Sequence, residues 1–276
     1  VYSLVISTAV FPIYFSSVSP EVVSFLGREF PSASLYSYSL SVSFLVVAIL
    51  SPFLSGIADY TGNKKGFLKF FCYLGAASCS ALFFFYGENL FFALSMSILA
   101  SVGFWGSLVF YNAFLPEIAP ADEQDALSAK GFSLGYIGSA LLLMANLAMI
   151  LFPESFGLNN AGEASRISFL TVGIWWAGFA QYSFKHLPAN VHHRKPGQRY
   201  IWKGYQEIRK VFVQLRELKA IRRFLYSFFF FSTGVQTVIL LASIFGEKEL
   251  GLESGKLIAT ILIIQFVGIG GAHLFS

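Results

Sequence analysis

The segment between two long apolar runs near the start of the chain carries the ionisable residues with the clearest potential chemistry. Residues 55–66 read Ser-Gly-Ile-Ala-Asp-Tyr-Thr-Gly-Asn-Lys-Lys-Gly, which places Asp59 close to Lys64 and Lys65. A carboxylate at a membrane edge can accept hydrogen bonds from helix-terminal amides or pair with a cation, and Gly62 permits a tight turn. Two interpretations of Asp59 stay open: an ion pair with a cation in another part of the protein, or a cap after a helix turn.

A second polar segment follows the fourth apolar run. Asn112 and Glu117 flank Pro116, which loosens a helix and frees a carbonyl group. A carboxylate buried in lipid is costly and usually marks a proton relay or an ion pair. Because an acidic loop follows within a few residues, several interpretations of Glu117 stay open: a gating contact, a proton-coupling group, an ion pair with Lys130, or a solvated helix end.

The composition identifies the chain as an integral membrane protein. Of its 276 residues, 55% are hydrophobic and 12% are charged, and the mean hydropathy is +0.65, whereas soluble domains carry about 25% charged residues. Backbone that crosses lipid must be helical, and the apolar runs are too long and continuous for membrane strands. The prediction is an all-α, polytopic membrane helix bundle with eight spans, near residues 1–18, 34–57, 67–86, 90–114, 132–152, 166–184, 222–246 and 256–275.

The basic residues predict the orientation of these spans. With the start of the first span inside, the interior segments hold 15 of the 19 lysine and arginine residues, and eleven of these lie in or beside the segment between the sixth and seventh spans. This bias predicts cytoplasmic loops at 58–66, 115–131 and 185–221. Because the basic residues lie beside spans, the net charge of +4 does not predict nucleic-acid binding.

The long basic segment also divides the chain. We expect an N-terminal six-helix bundle over residues 1–184, a basic cytoplasmic linker over 185–221, and the start of a C-terminal bundle, with two spans, over 222–276. A six-span block followed by a long interior loop is typical of a two-halved transporter.

Polar residues near the middle of the spans are few and uncharged. The candidates for contact with a solute are Trp105, Asn112, Asn146, Gln236 and Gln265. Because no Asp, Glu, Lys or Arg stands in the middle of a span, a zwitterion, a neutral polar compound or an amphipathic compound fits better than a highly charged one. The alternative is that these side chains hold helices together.

Small residues recur every four positions at the start of the fifth span. Gly131, Gly135 and Ser139 share one helix face and predict close packing against another helix. The sequence shows no cluster of His, Asp or Glu with metal-ligand or acid–base spacing, so neither a metal site nor a cofactor is predicted.

The loop between the second and third spans resembles the signature loop of the major facilitator superfamily. Asp59, Gly62 and Lys64 fall in register with that pattern, and Lys65 extends its basic end. Three positions depart from the pattern, namely Ser55 (with Gly56 one residue late), Tyr60 and Asn63.

Residues 111–138 resemble the vacuole-effluxer-like branch of that superfamily, which includes fungal autophagy-related amino-acid effluxers and a bacterial group. They read Tyr-Asn-Ala-Phe-Leu-Pro-Glu-Ile-Ala-Pro, then an acidic loop, then Leu-Ser-Ala-Lys-Gly-Phe-Ser-Leu-Gly-Tyr-Ile-Gly. The first span, over residues 2–15, is also similar to that group. Since the family has a twelve-span fold, the resemblance implies that this chain is a fragment with about eight spans.

The resemblance implies a secondary active transporter, not an enzyme, that moves a small solute by alternating access, with amino acids the first candidates. It implies gating roles for Gly56, Asp59, Gly62, Lys64, Lys65 and Glu117. It also implies a bacterial inner-membrane location, with the solute and the lipid bilayer as partners and the coupling ion left open. Two alternatives remain: a membrane-embedded transferase-type enzyme, and a non-transporting receptor on the same scaffold.

Overall fold

The computed structural model describes residues 1–188, 206, 209–210, 213–215 and 217–274. The predicted linker over residues 185–221 therefore lies largely outside the described residues. Side chains at positions 59–61, 254, 269 and 272–274 also lie outside the description.

Long helices account for nearly all of the described chain. They are a π-helix, Ser3–Val10, that continues as α1, Phe11–Val18; α2, Ser32–Thr61; α3, Lys64–Ala81; α4, Leu90–Asn112; α6, Gln124–Leu151; α7, Ala161–His186; α8, Lys219–Lys248; and α9, Ser254–Leu274. Short elements complete the set: 3₁₀ turns at Leu82–Phe84 and Pro153–Phe156, and a one-turn helix α5 at Leu115–Ile118. Each predicted span coincides with one long helical segment.

Five of the described helices are long and apolar enough to cross a membrane, namely Ser32–Ala58, Lys64–Phe84, Leu90–Ile118, Gln124–Leu151 and Lys219–Lys248. Two shorter apolar helices accompany them, Ser3–Val18 and Gly255–Gly268. Many large apolar side chains on these helices are exposed, as lipid-facing surfaces require. The predicted all-α membrane bundle is confirmed.

Small residues bring α3, α4 and α7 together. A Cβ atom placed on Gly103 of α4 would meet the backbone of Gly75 in α3, and one placed on Gly106 would meet the Phe71 ring. Further along α3, Gly173 of α7 lies against Ser80. Membrane helices lack a strong hydrophobic drive to associate, so such close backbone approach is a main source of their stability.

The last two helices pack against the earlier ones. Helix α9 runs antiparallel to α6, with Gly255 beside Leu151 at one end and Gly268 against the Tyr136 ring at the other. Helix α8 contacts the first span through its final third, where Leu240 is buried in the main apolar core.

A two-stranded hairpin, which was not predicted, joins α1 to α2. Strand β1, Val22–Phe25, pairs antiparallel with β2, Arg28–Pro31. Leu26 and Gly27 form the connection, and both have positive φ, 51° and 75°. A two-residue turn of this kind matches the twist of the two strands.

The packing of α4 on α3 gives a direct test. We expect Gly103→Ala to destabilise the protein by about 1–3 kcal/mol, because its methyl group would force two helix backbones apart. Thermal unfolding in detergent, followed by size-exclusion chromatography of the remaining folded protein, measures the change. The matched control is Gly135→Ala, where a Cβ would meet no atom within 4 Å. An equal loss of stability in both variants would contradict the close-packing role of Gly103.

Candidate functional site

The turn between α2 and α3 forms one end of the bundle. Helix α2 is closed by Gly62, whose φ of 68° is left-handed and whose N–H donates to the Ala58 carbonyl. Asn63 donates its N–H to the same carbonyl at 3.2 Å. Glycine tolerates this backbone conformation at no steric cost, which is why it ends helices so often. Gly56, six residues before Gly62, is buried. The side chain of Asp59 lies outside the described residues, so the role of Asp59 stays a prediction.

Two lysines at the start of α3 fasten this turn to other elements. The Lys64 ammonium group donates to Glu117 Oε1 in α5 at 2.8 Å. The Lys65 ammonium group donates to the Leu187 carbonyl, just after α7, at 2.8 Å. Glu117 is thus ion-paired with Lys64, 53 positions away, an arrangement that differs from the Lys130 pair and the solvated end considered from the sequence.

The network joins α3 to α5, both within the predicted N-terminal bundle, and to Leu187, just after α7 and at the start of the predicted linker. The side chains of Lys64 and Glu117 remain 23% and 32% exposed, so solvent screens their attraction and the pair contributes little net stability. The main physical effect of the two lysine contacts is to hold the turn between α2 and α3 in a fixed position relative to α5 and to the end of α7.

A cavity of about 830 Å³ opens between α2, α4 and α8. Trp105 and Asn112 of α4 and Gln236 of α8 line it, so three of the five predicted solute contacts come together. The Trp105 ring packs on Phe44 of α2, with ring centroids 5.4 Å apart. A cavity of this size accommodates a small molecule.

The lining of this cavity is apolar with dispersed hydroxyl and amide groups. Apart from the amides Asn112 and Gln236 the lining is aliphatic or aromatic, with hydroxyl groups from α2 and α8, namely Ser37, Ser41, Ser232, Thr233 and Thr237. Among the described residues that line it, none is Asp, Glu, Lys or Arg. A bound molecule would therefore be held by hydrogen bonds and apolar contact, without a full counter-charge.

The other two predicted solute contacts lie away from this cavity. Asn146 of α6 is fully buried, and its Oδ1 accepts a hydrogen bond from the Thr171 hydroxyl of α7 at 3.0 Å. Gln265 of α9 is 1% exposed, and within the described part of the chain neither of its amide atoms has a partner. Asn146 thus holds two helices together, as polar side chains in membranes often do.

The predicted small-residue face of α6 makes few close contacts. A Cβ on Gly131 would lie 3.2 Å from the Tyr111 hydroxyl, and one on Gly135 would meet no atom within 4 Å. The Ser139 hydroxyl donates to the Gly135 carbonyl within the helix at 2.7 Å. Close packing through Gly135 stays a prediction, while Gly75, Gly103 and Gly173, which sequence reasoning did not single out for packing, make the tight contacts.

The π-helix of the first span contributes backbone acceptors that the sequence did not reveal. Tyr36 of α2 donates its hydroxyl to the Ser7 carbonyl at 3.2 Å, and Ser243 of α8 donates to the Thr8 carbonyl. Nothing in an apolar run distinguishes π-helical from α-helical winding. Such segments are rare and often occur at functional sites.

Comparison with known proteins agrees with this architecture. The family model described as "Vacuole effluxer Atg22 like" matches residues 15–276. The chain belongs to this family. An uncharacterised MFS-type transporter of Bacillus subtilis, YxiO, is 32% identical over 268 residues, which cover 96% of this chain and 61% of that protein.

Fungal members of the Atg22-like family are more distant. Autophagy-related protein 22 of Coccidioides immitis is 25% identical and covers 92% of this chain. Autophagy-related protein 22-1 of Penicillium rubens is 23% identical and covers 96%. The chain spans 52% and 57% of these two proteins, so it corresponds to little more than half of their length. No solved structure matches it.

The Atg22-like family consists of transporters and effluxers, and this chain is accordingly an integral, multi-pass membrane protein of a transporter family. Within the described ranges of the chain, no group of three His, Cys, Asp or Glu side chains could hold a metal ion.

The Lys64–Glu117 pair can be tested by exchanging its charges. We expect Lys64→Glu to lower the thermal midpoint more than Lys64→Gln, because it opposes two carboxylates. Adding Glu117→Lys should restore the loss, which amounts to about 1 kcal/mol or less for a partly exposed pair.

The control for this exchange is Lys64→Glu combined with Glu123→Lys, which restores net charge at an exposed position of the acidic loop. Equal recovery by the two lysine substitutions would show that overall charge, and not this contact, sets the stability.

Proposed function

We propose that this protein is a secondary active transporter that moves a small, uncharged or zwitterionic solute across a membrane by alternating access. Amino acids are the first class to test, because the family description names vacuole effluxers. The observation that carries the proposal is the cavity of about 830 Å³ between α2 and α4 on one side and α8 on the other. It lies between the predicted N-terminal bundle and the start of the second one.

The chemistry of the cavity supports the solute class. Trp105 and Phe44 offer aromatic faces, while Asn112 and Gln236 offer amides that both donate and accept hydrogen bonds. A solute with a permanent net charge would lose its hydration there without gaining a charged partner. A zwitterion can satisfy both of its ends through amide and hydroxyl groups.

The packing of α8 supports a conformation open toward the cytoplasm. In its outer part Leu240 and Ser243 are buried, and Ser243 bonds to the Thr8 carbonyl of the first span. In its inner part Phe224 and Phe228 are exposed. With the basic ends of the helices inside, the contact between α8 and the first span lies on the outer side, which supports a conformation open toward the cytoplasm.

The cytoplasmic network supports rigid movement of the N-terminal bundle. Lys64 and Lys65 connect the turn after α2 to Glu117 and to Leu187. A turn held in this way can present Asp59 at a fixed position to the second bundle. We propose that Asp59 makes the contact that closes the cytoplasmic side in the alternative conformation, with Gly56 and Gly62 shaping its approach.

We place the protein in a bacterial inner membrane, since the bacterial relative YxiO is an MFS-type transporter. The loops at 58–66, 115–131 and 185–221 would then face the cytoplasm. No catalytic role is proposed, and the domain division at residues 184 and 221 is part of the proposal.

The cavity predicts the effect of two substitutions on transport. We expect Trp105→Ala and Gln236→Ala to slow counterflow of a radiolabelled neutral amino acid in proteoliposomes by about five- to thirtyfold. This corresponds to the loss of about 1–2 kcal/mol of contact energy. The full-length protein is used, and a panel of neutral, acidic and basic amino acids identifies the class.

The matched control is Leu141→Ala, at an exposed apolar position of α6 outside the cavity. Counterflow equal to wild type in Trp105→Ala and Gln236→Ala, at equal protein level, would remove the cavity from the transport path. Absence of counterflow for the whole panel would contradict the amino-acid class.

The proposed role of Asp59 predicts that a substitution there lowers the transport rate without lowering the amount of folded protein. We expect Asp59→Ala to slow counterflow at least about tenfold while the amount of folded protein changes little, because the contact is needed only during the conformational cycle. Asp122→Ala, in the exposed acidic loop, serves as the comparison. If the transport rate of Asp59→Ala equals that of wild type, the gating role is wrong.

A further inference from the structure

The hairpin between α1 and α2 is the one described part of the chain built from strands, and Leu26 at its tip is its most exposed large apolar side chain. Near its base, Val23 and Phe30 form a cross-strand pair that packs on the main apolar core. Further out, Phe25 is 39% exposed, and at the tip Leu26 is 87% exposed. The hairpin therefore carries an exposed leucine at its tip, next to the exposed Arg28, and Val22 at its base is also 53% exposed.

The backbone at the tip is unusual for the residue it holds. Leu26 has a φ of 51°, in the left-handed region that favours Gly, Asn and Asp. A leucine there costs conformational energy and gains nothing from contacts within the molecule. An outlier of this kind is a reason to look for a contact outside the chain.

Aromatic contacts hold the hairpin against the outer ends of α2 and α4. The Phe25 ring lies 5.5 Å from the Phe91 ring at the start of α4, and the Phe30 ring meets Tyr38 of α2 edge-on at 6.3 Å. Both partner residues are themselves exposed, at the outer ends of apolar helices. Aromatic rings at span ends are typical of the water–lipid interface.

The outer half of α4 continues this exposed surface into the bilayer. Phe91, Ser95 and Leu99 are four residues apart, share one helix face and are all exposed. Phe25 covers the upper end of this stripe, so the apolar edge of the hairpin is continuous with a helix surface that faces lipid. The polar residues Ser24 and Glu29, which pair with each other, occupy the opposite face of the hairpin.

From this continuity we propose that the hairpin Val22–Pro31 is a membrane-interface anchor whose Leu26 tip lies in the headgroup and upper acyl region of the outer leaflet. Insertion buries the Leu26 side chain and leaves Glu29 in water. The anchor fixes the outer ends of α1 and α2 relative to the membrane surface. The proposal concerns lipid contact and does not depend on which solute is transported.

The proposal is tested by measuring how deep a spin label lies in the membrane, with the full-length protein reconstituted in vesicles of phosphatidylcholine and phosphatidylglycerol. Leu26→Cys and, as matched control on the other face, Glu29→Cys each carry a nitroxide. Cys72 and Cys79 are buried and stay unlabelled. Power saturation measures how often the nitroxide collides with oxygen, which concentrates in lipid, and how often it collides with a nickel chelate that stays in water.

We expect the Leu26 label to collide more with oxygen and less with the chelate than the Glu29 label does. Equal, water-like values at both positions would overturn the proposal. Spin–spin broadening at Leu26 that depends on the protein-to-lipid ratio would also overturn it, because it would identify a second copy as the occupant.

A second variant separates the lipid contact from the backbone strain. Leu26→Asn suits the left-handed conformation, so in detergent its thermal midpoint should equal or exceed that of wild type. In vesicles the midpoint of Leu26→Asn should fall below that of wild type, because the lipid contact is lost. The same ranking of the two proteins in both environments would contradict an anchor.

Discussion

The protein depends on one constraint: a backbone that crosses lipid must satisfy its hydrogen bonds without water. That constraint explains why long helices make up nearly all of the described chain, and why the strands are confined to a connection outside the spans. It also gives meaning to the π-helix Ser3–Val10. Two of its carbonyls, at Ser7 and Thr8, accept hydrogen bonds from Tyr36 and Ser243 on neighbouring helices, so the first span is joined to α2 and α8 through its own backbone.

Helix contacts of two different kinds follow from the same constraint. Around α3 the contacts are tight, because Gly75, Gly103 and Gly173 let backbones approach to a distance that no side chain would allow. Around α8 they are looser: its outer part packs on the first span, and its middle part, from Phe229 to Leu241, borders the cavity. Tight packing suits a body that moves as a unit, and loose packing suits a surface along which two bodies separate.

The sequence predicted the helices well because hydropathy over twenty residues reports directly on lipid burial, and each apolar run became one helix. The hairpin was missed because Val22–Pro31 is short and its Leu-Gly turn lacks the usual Asn or Asp. The Lys64–Glu117 contact joins residues that are distant in the chain, and a single sequence carries no record of such pairing. Trp105, Asn112 and Gln236 lie together because each stands on the cavity-facing side of its helix. Asn146 and Gln265 look the same in the sequence, a lone amide in an apolar run, although both are buried away from the cavity.

Charged side chains lie at the end of the bundle, whereas the cavity is lined by uncharged ones. Lysine and glutamate meet at the end of the bundle, where water still reaches them, so a contact there can break and re-form without a large desolvation cost. The cavity between α2, α4 and α8 has only amides, hydroxyls and aromatic rings among its described polar groups, so an empty cavity leaves no charge stranded in lipid. In the proposed alternating-access cycle, this arrangement makes the energy of the unloaded state depend little on which side of the membrane the cavity faces.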